Sequence, residues 1–305
     1  MIKLKRFYKN DKVCYFCGSN YLVNSRMRRT IEFNQIRVFL LCLKCKGFCL
    51  YPKLEQFEID SLYSPSYIDS VSNHLEDTPK EEMDRFINLF AAIHRFADRT
   101  ELNFLDYGCG SEAEVIIRMS SLGIQSFGLE IEENARSIAQ LKSRSKIFSP
   151  KELAKSKMQF DVIFLGDVLE HLNDPKGTLD DIFSVLSPGG LLIAQGPLEG
   201  AITISNFFLS IKSFFTRHSL SQFPPYHTSL ASRKSILALF HEANFKVHKL
   251  NISEPVWPAA RFGTLDSFKS ISSFTFSVTK LLDTFLGRSF NKFGTRFYLE
   301  ATKMP

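Results

Sequence analysis

No stretch of this chain reaches the roughly 18 consecutive apolar residues that a membrane-spanning helix requires. The basic start, Met1-Ile2-Lys3-Leu4-Lys5-Arg6, leads into no continuous apolar segment, so no secretory signal is expected. Cysteine is scarce outside one region, with five of the six falling within residues 14–49. A strong charge of one sign is also missing. The net charge of +6 permits weak attraction to nucleic acid or an anionic membrane surface and establishes neither. These absences favour a cytoplasmic protein whose thiols stay reduced. A composition of 44% hydrophobic and 23% charged residues excludes a disordered chain. The 305 residues suit about two domains with ample material for a core.

What is present is concentrated in two places. The first is a pair of C-x2-C knuckles, Cys14-Tyr15-Phe16-Cys17 and Cys42-Leu43-Lys44-Cys45. Two knuckles supply the four soft ligands of a closed tetrahedral zinc site, which leaves no open position for catalysis. Between them Thr30–Phe33 and Ile36–Leu41 read as strands around Asn34-Gln35, so residues 1–52 resemble a zinc ribbon. Buried free thiols or a disulfide pair are the alternative, and Cys49 is a spare that competes with Cys45 as a ligand. Arg26, Arg28 and Arg29 give this module a basic, solvated face.

Residues 53–100 read as a connector and a helix. The connector, polar and turn-rich to Pro79, carries Tyr63 and Tyr67, which suit a segment folded over a neighbouring site. Thr78 and Pro79 start the helix as N-cap and first position. Met83, Phe86, Ile87, Phe90, Ile93 and Phe96 then recur at helical spacing, which predicts a core stripe.

The second concentration begins near residue 101. Phe104-Leu105-Asp106-Tyr107-Gly108-Cys109-Gly110 reads as a strand running into a glycine turn, with Glu114–Met119 opening a helix. These are the parts of a nucleotide crevice in a doubly wound sheet. The glycines alone allow a dinucleotide. Asp106 argues otherwise, because a carboxylate there repels a pyrophosphate and attracts an ammonium or a sulfonium. Glu130 ends a second strand, 20 residues past Gly110, where an acid can accept from ribose hydroxyls; a helix N-terminal role is the alternative. A third strand, Lys146–Phe148, and a fourth, Gln159–Leu165, follow. The fourth runs into Asp167-Val168-Leu169-Glu170-His171, a further helix, Leu186-Ser187-Pro188-Gly189-Gly190, and a fifth strand at Leu191–Ala194. Phe245–Leu250 and Thr295–Ala301 are the last two strands.

Three of these segments, L-D-Y-G-C-G, F-D-V-I-x-x-x-D-V-L-E-H-L-x-D-P and L-S-P-G-G-L-L, resemble class I S-adenosylmethionine-dependent methyltransferases over roughly residues 101–196. They are most similar to the branch holding quinone-ring O-methyltransferases and many sugar or small-metabolite methyltransferases. A cysteine-rich ribbon ahead of such a domain also resembles the deoxysugar C-methyltransferases. The resemblance implies an α/β fold, a Rossmann-like, doubly wound sheet of seven strands over residues 101–305, preceded by the small zinc ribbon. It implies that Asp106, Gly108 and Gly110 cradle S-adenosylmethionine, that Glu130 meets its ribose, and that Asp167 and Val168 pass near its methionine end. Glu170 and His171 match an E-H pair of that branch, in which the histidine serves as base or as structure. Two departures stand out. Glu112 occupies the place of a third glycine, so either the cradle is looser or this side chain points away. No acid follows the third strand, where Ser149 is the nearest polar residue.

Residues 197–229 and 251–290 read as insertions on the substrate side. In the first, Asn206–Phe215 is an aromatic helix or lid, and His227 precedes a serine-capped helix from Ser232 to Glu242. Histidine there supplies a base without much tuning, and His227 is the candidate. Tyr226 lies beside it. Phe268, Ile271, Phe274, Val278, Leu281, Leu282 and Phe285 form an amphipathic stripe that suits packing on the domain or on a second subunit of a homodimer. Peripheral contact with a membrane, for a lipid-linked acceptor, is the alternative. The expected function is methyl transfer to an oxygen or carbon of a small metabolite, such as a sugar or a lipid-linked polysaccharide precursor. Two other readings stay open: an RNA methyltransferase gripping phosphates through the ribbon, and a non-catalytic interaction protein. The chain lacks the Asn/Asp-Pro-Pro-Tyr-type loop that base-modifying members of the resembled family often carry after the fourth strand, which weighs against amino-group methylation.

Overall fold

The computed structural model describes residues 12–32, 35–62, 79–95, 102–200, 221–222, 227–253 and 294–304, with single positions 278, 282 and 285. The expectations at Asn34, Tyr63, Tyr67, Thr78, Phe96 and Tyr226, the 206–215 segment and most of the 262–286 stripe lie outside them. So do the side chains of Arg26, Arg28, Arg29 and Met83.

The chain begins with an antiparallel hairpin, β1 (Leu22–Glu32) and β2 (Gln35–Cys42), extended by β3 (Phe48–Tyr51). These strands are longer than the knuckle spacing suggested, and Leu22 pairs opposite Cys42 so that the hairpin base joins the two knuckles. The connector contains a helix, α1 (Gln56–Leu62). It is fixed by a buried ion pair in which Arg37 of β2 donates to both oxygens of Glu58, at 2.5 and 2.7 Å. α2 (Pro79–His94) follows. Its buried stripe is Phe86, Leu89, Ala92 and Ile93, whereas Ile87 and Phe90 face outward. The core stripe is therefore narrower than expected: 86, 89 and 93 share one face, and 87 and 90 fall on the next.

The main sheet contains β4 (Asn103–Tyr107), β5 (Gln125–Leu129), β6 (Ile147–Phe148), β7 (Phe160–Gly166), β8 (Leu186–Pro197), β11 (Phe245–Ser253) and β12 (Arg296–Lys303). The intervening helices are α3 (Glu114–Ser121), α4 (Glu133–Ser143), α5 (Pro150–Ser156), α6 (Pro175–Val185) and α7 (Arg233–Glu242). The order is β11-β12-β8-β7-β4-β5-β6, parallel from β8 to β6, with β12 antiparallel to both neighbours. β8 starts earlier than expected. Leu186 pairs with Phe160 and Leu191 with Val162, so the Ser187–Gly190 segment is accommodated as a bulge in the ladder.

The strand sequences explain why the sheet is covered on both faces. Successive side chains point to opposite sides. Leu105, Ile163, Leu165, Leu192 and Ala194 join Leu179, Ile182 and Phe240 on one side. Phe104, Val162, Phe164, Leu191 and Ile193 join Phe86, Leu89 and Met119 on the other. A parallel sheet buried this way reads as continuous apolar runs, as β7 does.

The N-terminal sheet takes strands from far along the chain. Its order is β10-β3-β2-β1-β9, with β9 (Ser221–Gln222) and β10 (Ser229–Leu230) supplied by the insertion after β8. Ser229 pairs with Cys49 and Leu230 with Phe48. Tyr15, Phe16 and the cysteines share one apolar cluster with Ile236, Leu239 and Phe240 of α7.

Candidate functional site

Strand order reverses between β4 and β7, so the loops leaving their C-terminal ends diverge and open a crevice. The loop after β4 is folded over the end of β5. Gly108 and Cys109 both donate to the Leu129 carbonyl, at 2.8 and 3.1 Å. Gly108 has φ +85°, and a Cβ there would meet Cγ2 of Val168 at 2.7 Å. The two loops therefore touch at a point where only glycine fits. A Cβ at Gly110 would meet nothing within 4 Å, so this side of the turn is open.

Asp106 is buried at the end of β4. Glu130, at the tip of β5, accepts from the Gly110 N–H on one oxygen and from the Glu132 N–H on the other, both at 3.0 Å. Glu132 is the acid that caps α4, accepting from Asn134 and Ala135. The helix-cap role considered for Glu130 thus belongs to its neighbour, and Glu130 instead ties the glycine turn to the second strand. Each carboxylate oxygen retains a further lone pair for a hydroxyl donor. Glu112 points out to solvent and pairs with Lys142 of α4 at 2.7 Å. Ser149 is engaged in a capping box with Glu152 at the start of α5. The open turn, the buried acid and the strand-tip carboxylate suit a ligand with a cationic end and ribose hydroxyls.

The loop after β7 carries the second half of the site. Asp167 has φ +54°, and its Oδ1 accepts from Arg296 of β12 at 2.5 Å. A short turn, Leu169–His171, puts Glu170 inside, with 6% of its surface exposed. Burial, reinforced by the nearby Asp167 charge, pushes the Glu170 carboxyl well above its ordinary range despite the opposing pull of Arg296. His171 lies beside it, and its ring meets that of His227 edge to face, centroids 5.0 Å apart. Nδ1 of His227 is 2.8 Å from Oε2 of Glu199, just past the end of β8. One ligand atom from each of Glu170, His171 and His227 falls within 4.8 Å of the others, so these three could hold a metal ion.

The fold thus brings Asp106, Gly108, Gly110, Glu130, Asp167 and Val168 to one end of the sheet, and His171 and His227 together beside them. Glu199 and Arg296 were not singled out from the sequence. Glu199 carried one usable signal, an acid just beyond the C-terminal end of a central strand. Arg296 carried none.

The four cysteines also meet. Sγ of Cys14 lies 3.4 Å from Cys45, and Sγ of Cys17 lies 3.7 Å from Cys42. The edge of a tetrahedron with zinc–sulfur bonds of about 2.3 Å is about 3.8 Å, so the donor set fits a metal. Matched turns build it, with Gly18 donating to the Cys14 carbonyl and Lys46 to that of Cys42, each at 2.9 Å. Cys49 sits 3.9 Å from Cys14 and accepts from the Tyr15 N–H, beside the four rather than among them.

A methyltransferase-domain family matches residues 79–250. A ubiquinone biosynthesis O-methyltransferase of Parvibaculum lavamentivorans is 32% identical over 107 residues, 33% of this chain. The match spans 41% of that relative's length. Among solved structures, magnesium protoporphyrin IX methyltransferase of Synechocystis PCC 6803 with bound SAH aligns at a TM-score of 0.53 and 13% identity, covering 82% of this chain and all of that one. A putative sarcosine dimethylglycine methyltransferase of Galdieria sulphuraria aligns at 0.49 and 16%, over 75% of this chain and 89% of that chain. At 13% identity the likeness to the protoporphyrin methyltransferase is one of fold. The family match covers more than half of the 305 residues, and the protein belongs to that methyltransferase-domain family, with the class I methyltransferase fold.

Proposed function

We propose that the protein methylates an oxygen or carbon of a small acceptor, with His227 as the base. The observation that carries this reading is the meeting of His227, His171 and the Asp167–His171 loop, which touches the glycine turn through Val168. When bound, S-adenosylmethionine supplies an electrophilic methyl group on a sulfonium. Asp106 suits its ammonium, Glu130 its ribose hydroxyls, and Asp167 with Val168 its methionine end. A hydroxyl acceptor would take that methyl group and give up its own proton. The hydroxyl proton passes to Nε2 of His227, and His171 packs against the accepting ring. Alignment and exclusion of water are the protein's larger tasks in such a displacement.

The ubiquinone-biosynthesis relative supports a small ring hydroxyl as the acceptor, and the ribbon arrangement supports a sugar. Methyl-labelled S-adenosylmethionine incubated with catechols, nucleotide-linked deoxysugars and RNA separates these by which one takes label. On the acceptor that does, His227→Ala is expected to lower kcat by about a hundredfold or more with S-adenosylmethionine affinity within about twofold. Full turnover by that variant would remove His227 from the mechanism. Zn2+ held by Cys14, Cys17, Cys42 and Cys45 completes the proposal as a structural ion.

A further inference from the structure

Resting on the reading of His227 as base, we infer that Glu199 is its positioning residue, fixing which ring nitrogen carries the lone pair. The carboxylate is 2.8 Å from Nδ1, and the side chains of His227 and Glu199 are 14% and 23% exposed. An ion pair or hydrogen bond so shielded is stronger and better directed than one in open water. Nδ1–H donating to Glu199 makes Nε2 the basic nitrogen. When Nε2 takes the acceptor's proton, the same carboxylate faces the positive charge that forms on the ring.

The backbone around the pair is built to hold this geometry. Gly200, the next residue, donates to the Ala231 carbonyl at 2.8 Å. A Cβ at Gly200 would lie 2.8 Å from the Leu230 and Ala231 carbonyl oxygens, so the strand leaving His227 packs directly on the loop bearing Glu199. On the other side, the Thr228 N–H donates to the Glu170 carbonyl at 2.7 Å, and its hydroxyl donates to Leu172 at 2.6 Å. β10 then continues as the partner of β3. The histidine and the glutamate are 28 residues apart in sequence, yet their backbones are hydrogen-bonded together within four residues of each side chain. An incidental surface pair has no such support.

Nitrogen-15 NMR of the imidazole rings in the full-length protein, at a pH where the rings are neutral, tests the assignment without an acceptor. His227, identified by the signal missing in His227→Ala, is expected as the Nδ1–H tautomer in the wild type. In Glu199→Ala it is expected to shift towards the Nε2–H form that free histidine prefers. On the acceptor found by label transfer, Glu199→Ala is expected to lose about 10- to 100-fold in kcat with KM within about twofold. Glu199→Gln keeps an acceptor oxygen without the charge and is expected to recover part of that loss. It also carries the test if the alanine variant fails to fold. An unchanged tautomer in Glu199→Ala, or wild-type kcat in both variants, overturns the inference. If His227→Ala turns over normally, the base reading itself fails; if only the Glu199 variants do, the base reading stands and the positioning role falls.

Discussion

Gly108 and Val168 set how closely the two loops of the crevice approach. Alanine at 108 has to accept φ +85° and a Cβ 2.7 Å from the Val168 methyl. The backbone strain alone is worth about 1–2 kcal/mol. Gly108→Ala is therefore expected to lower stability in chemical denaturation and to weaken cofactor binding. Adding Val168→Ala removes the collision and leaves the strain, so the double variant is expected to recover only part of the loss. Full recovery would show that the close approach, and not the left-handed turn, is what requires glycine. Glu300 makes a second residue-scale case. Burial pushes its carboxyl upward, but Arg95, Lys249 and Tyr298 outweigh that and hold it below its ordinary 4.5. A carboxyl lowered by folding stabilises the protein fully above its unfolded value, and the contribution fades as pH falls through the folded one. Glu300→Gln is thus expected to cost about 1–2 kcal/mol at neutral pH, since Arg95 is half exposed. The difference from wild type should shrink in urea melts below about pH 4.5. Glu130 was legible in the sequence because its distance from Gly110 reports where the second strand ends. Its alternative role as a cap was settled only by Glu132, which takes the Asn134 and Ala135 amides at the helix start. The Glu199–His227 and Asp167–Arg296 pairs were not legible, because their partners come from separate strands and loops.

At the scale of elements, the N-terminal strands connect the cysteine knuckles to the acceptor side. β3 pairs with β10, which starts two residues after His227, and the Ser232 hydroxyl that caps α7 also donates to the Cys45 carbonyl at 3.1 Å. If the four thiols hold zinc, Cys42→Ser is expected to lower the metal content from about one zinc per chain by elemental analysis. The Ser229, Leu230 and Leu50 amides should then lose protection from hydrogen exchange, while those of β4 and β7 keep theirs. A protein purified without metal but with those amides protected would assign the knuckles to buried free thiols. The knuckles were legible because C-x2-C is a local pattern with one dominant chemistry. Their coupling to β10 was not, since two-residue strands carry no periodicity to read. The α1 helix was hidden for a similar reason: seven residues with a buried glutamate look like a polar connector until Arg37 is placed opposite Glu58.

Across the whole molecule, the succession of the seven strands along the chain was legible because apolar runs, glycine turns and helix caps recur in sequence order, whereas their order in the sheet was not read from those local patterns. The packing of the N-terminal cysteine segment against α7 was not legible, because it depends on which side of that helix the knuckles cover. Phe16 and Cys45 share a cluster with Leu239 and Phe240, so the N-terminal segment belongs to the same core. Among the described residues no helix is long and apolar enough to cross a membrane. What the molecule then offers a ligand is the crevice between β4 and β7, bordered on one side by the glycine turn and on the other by the paired histidines. Calorimetric titration of S-adenosylmethionine into the full-length protein and into Glu130→Gln tests this account most directly. One binding site is predicted in the wild type, weakened about tenfold or more in the variant, equivalent to about 1.4 kcal/mol. No heat at high micromolar cofactor, or equal affinity in the two proteins, would contradict the assignment of the cradle.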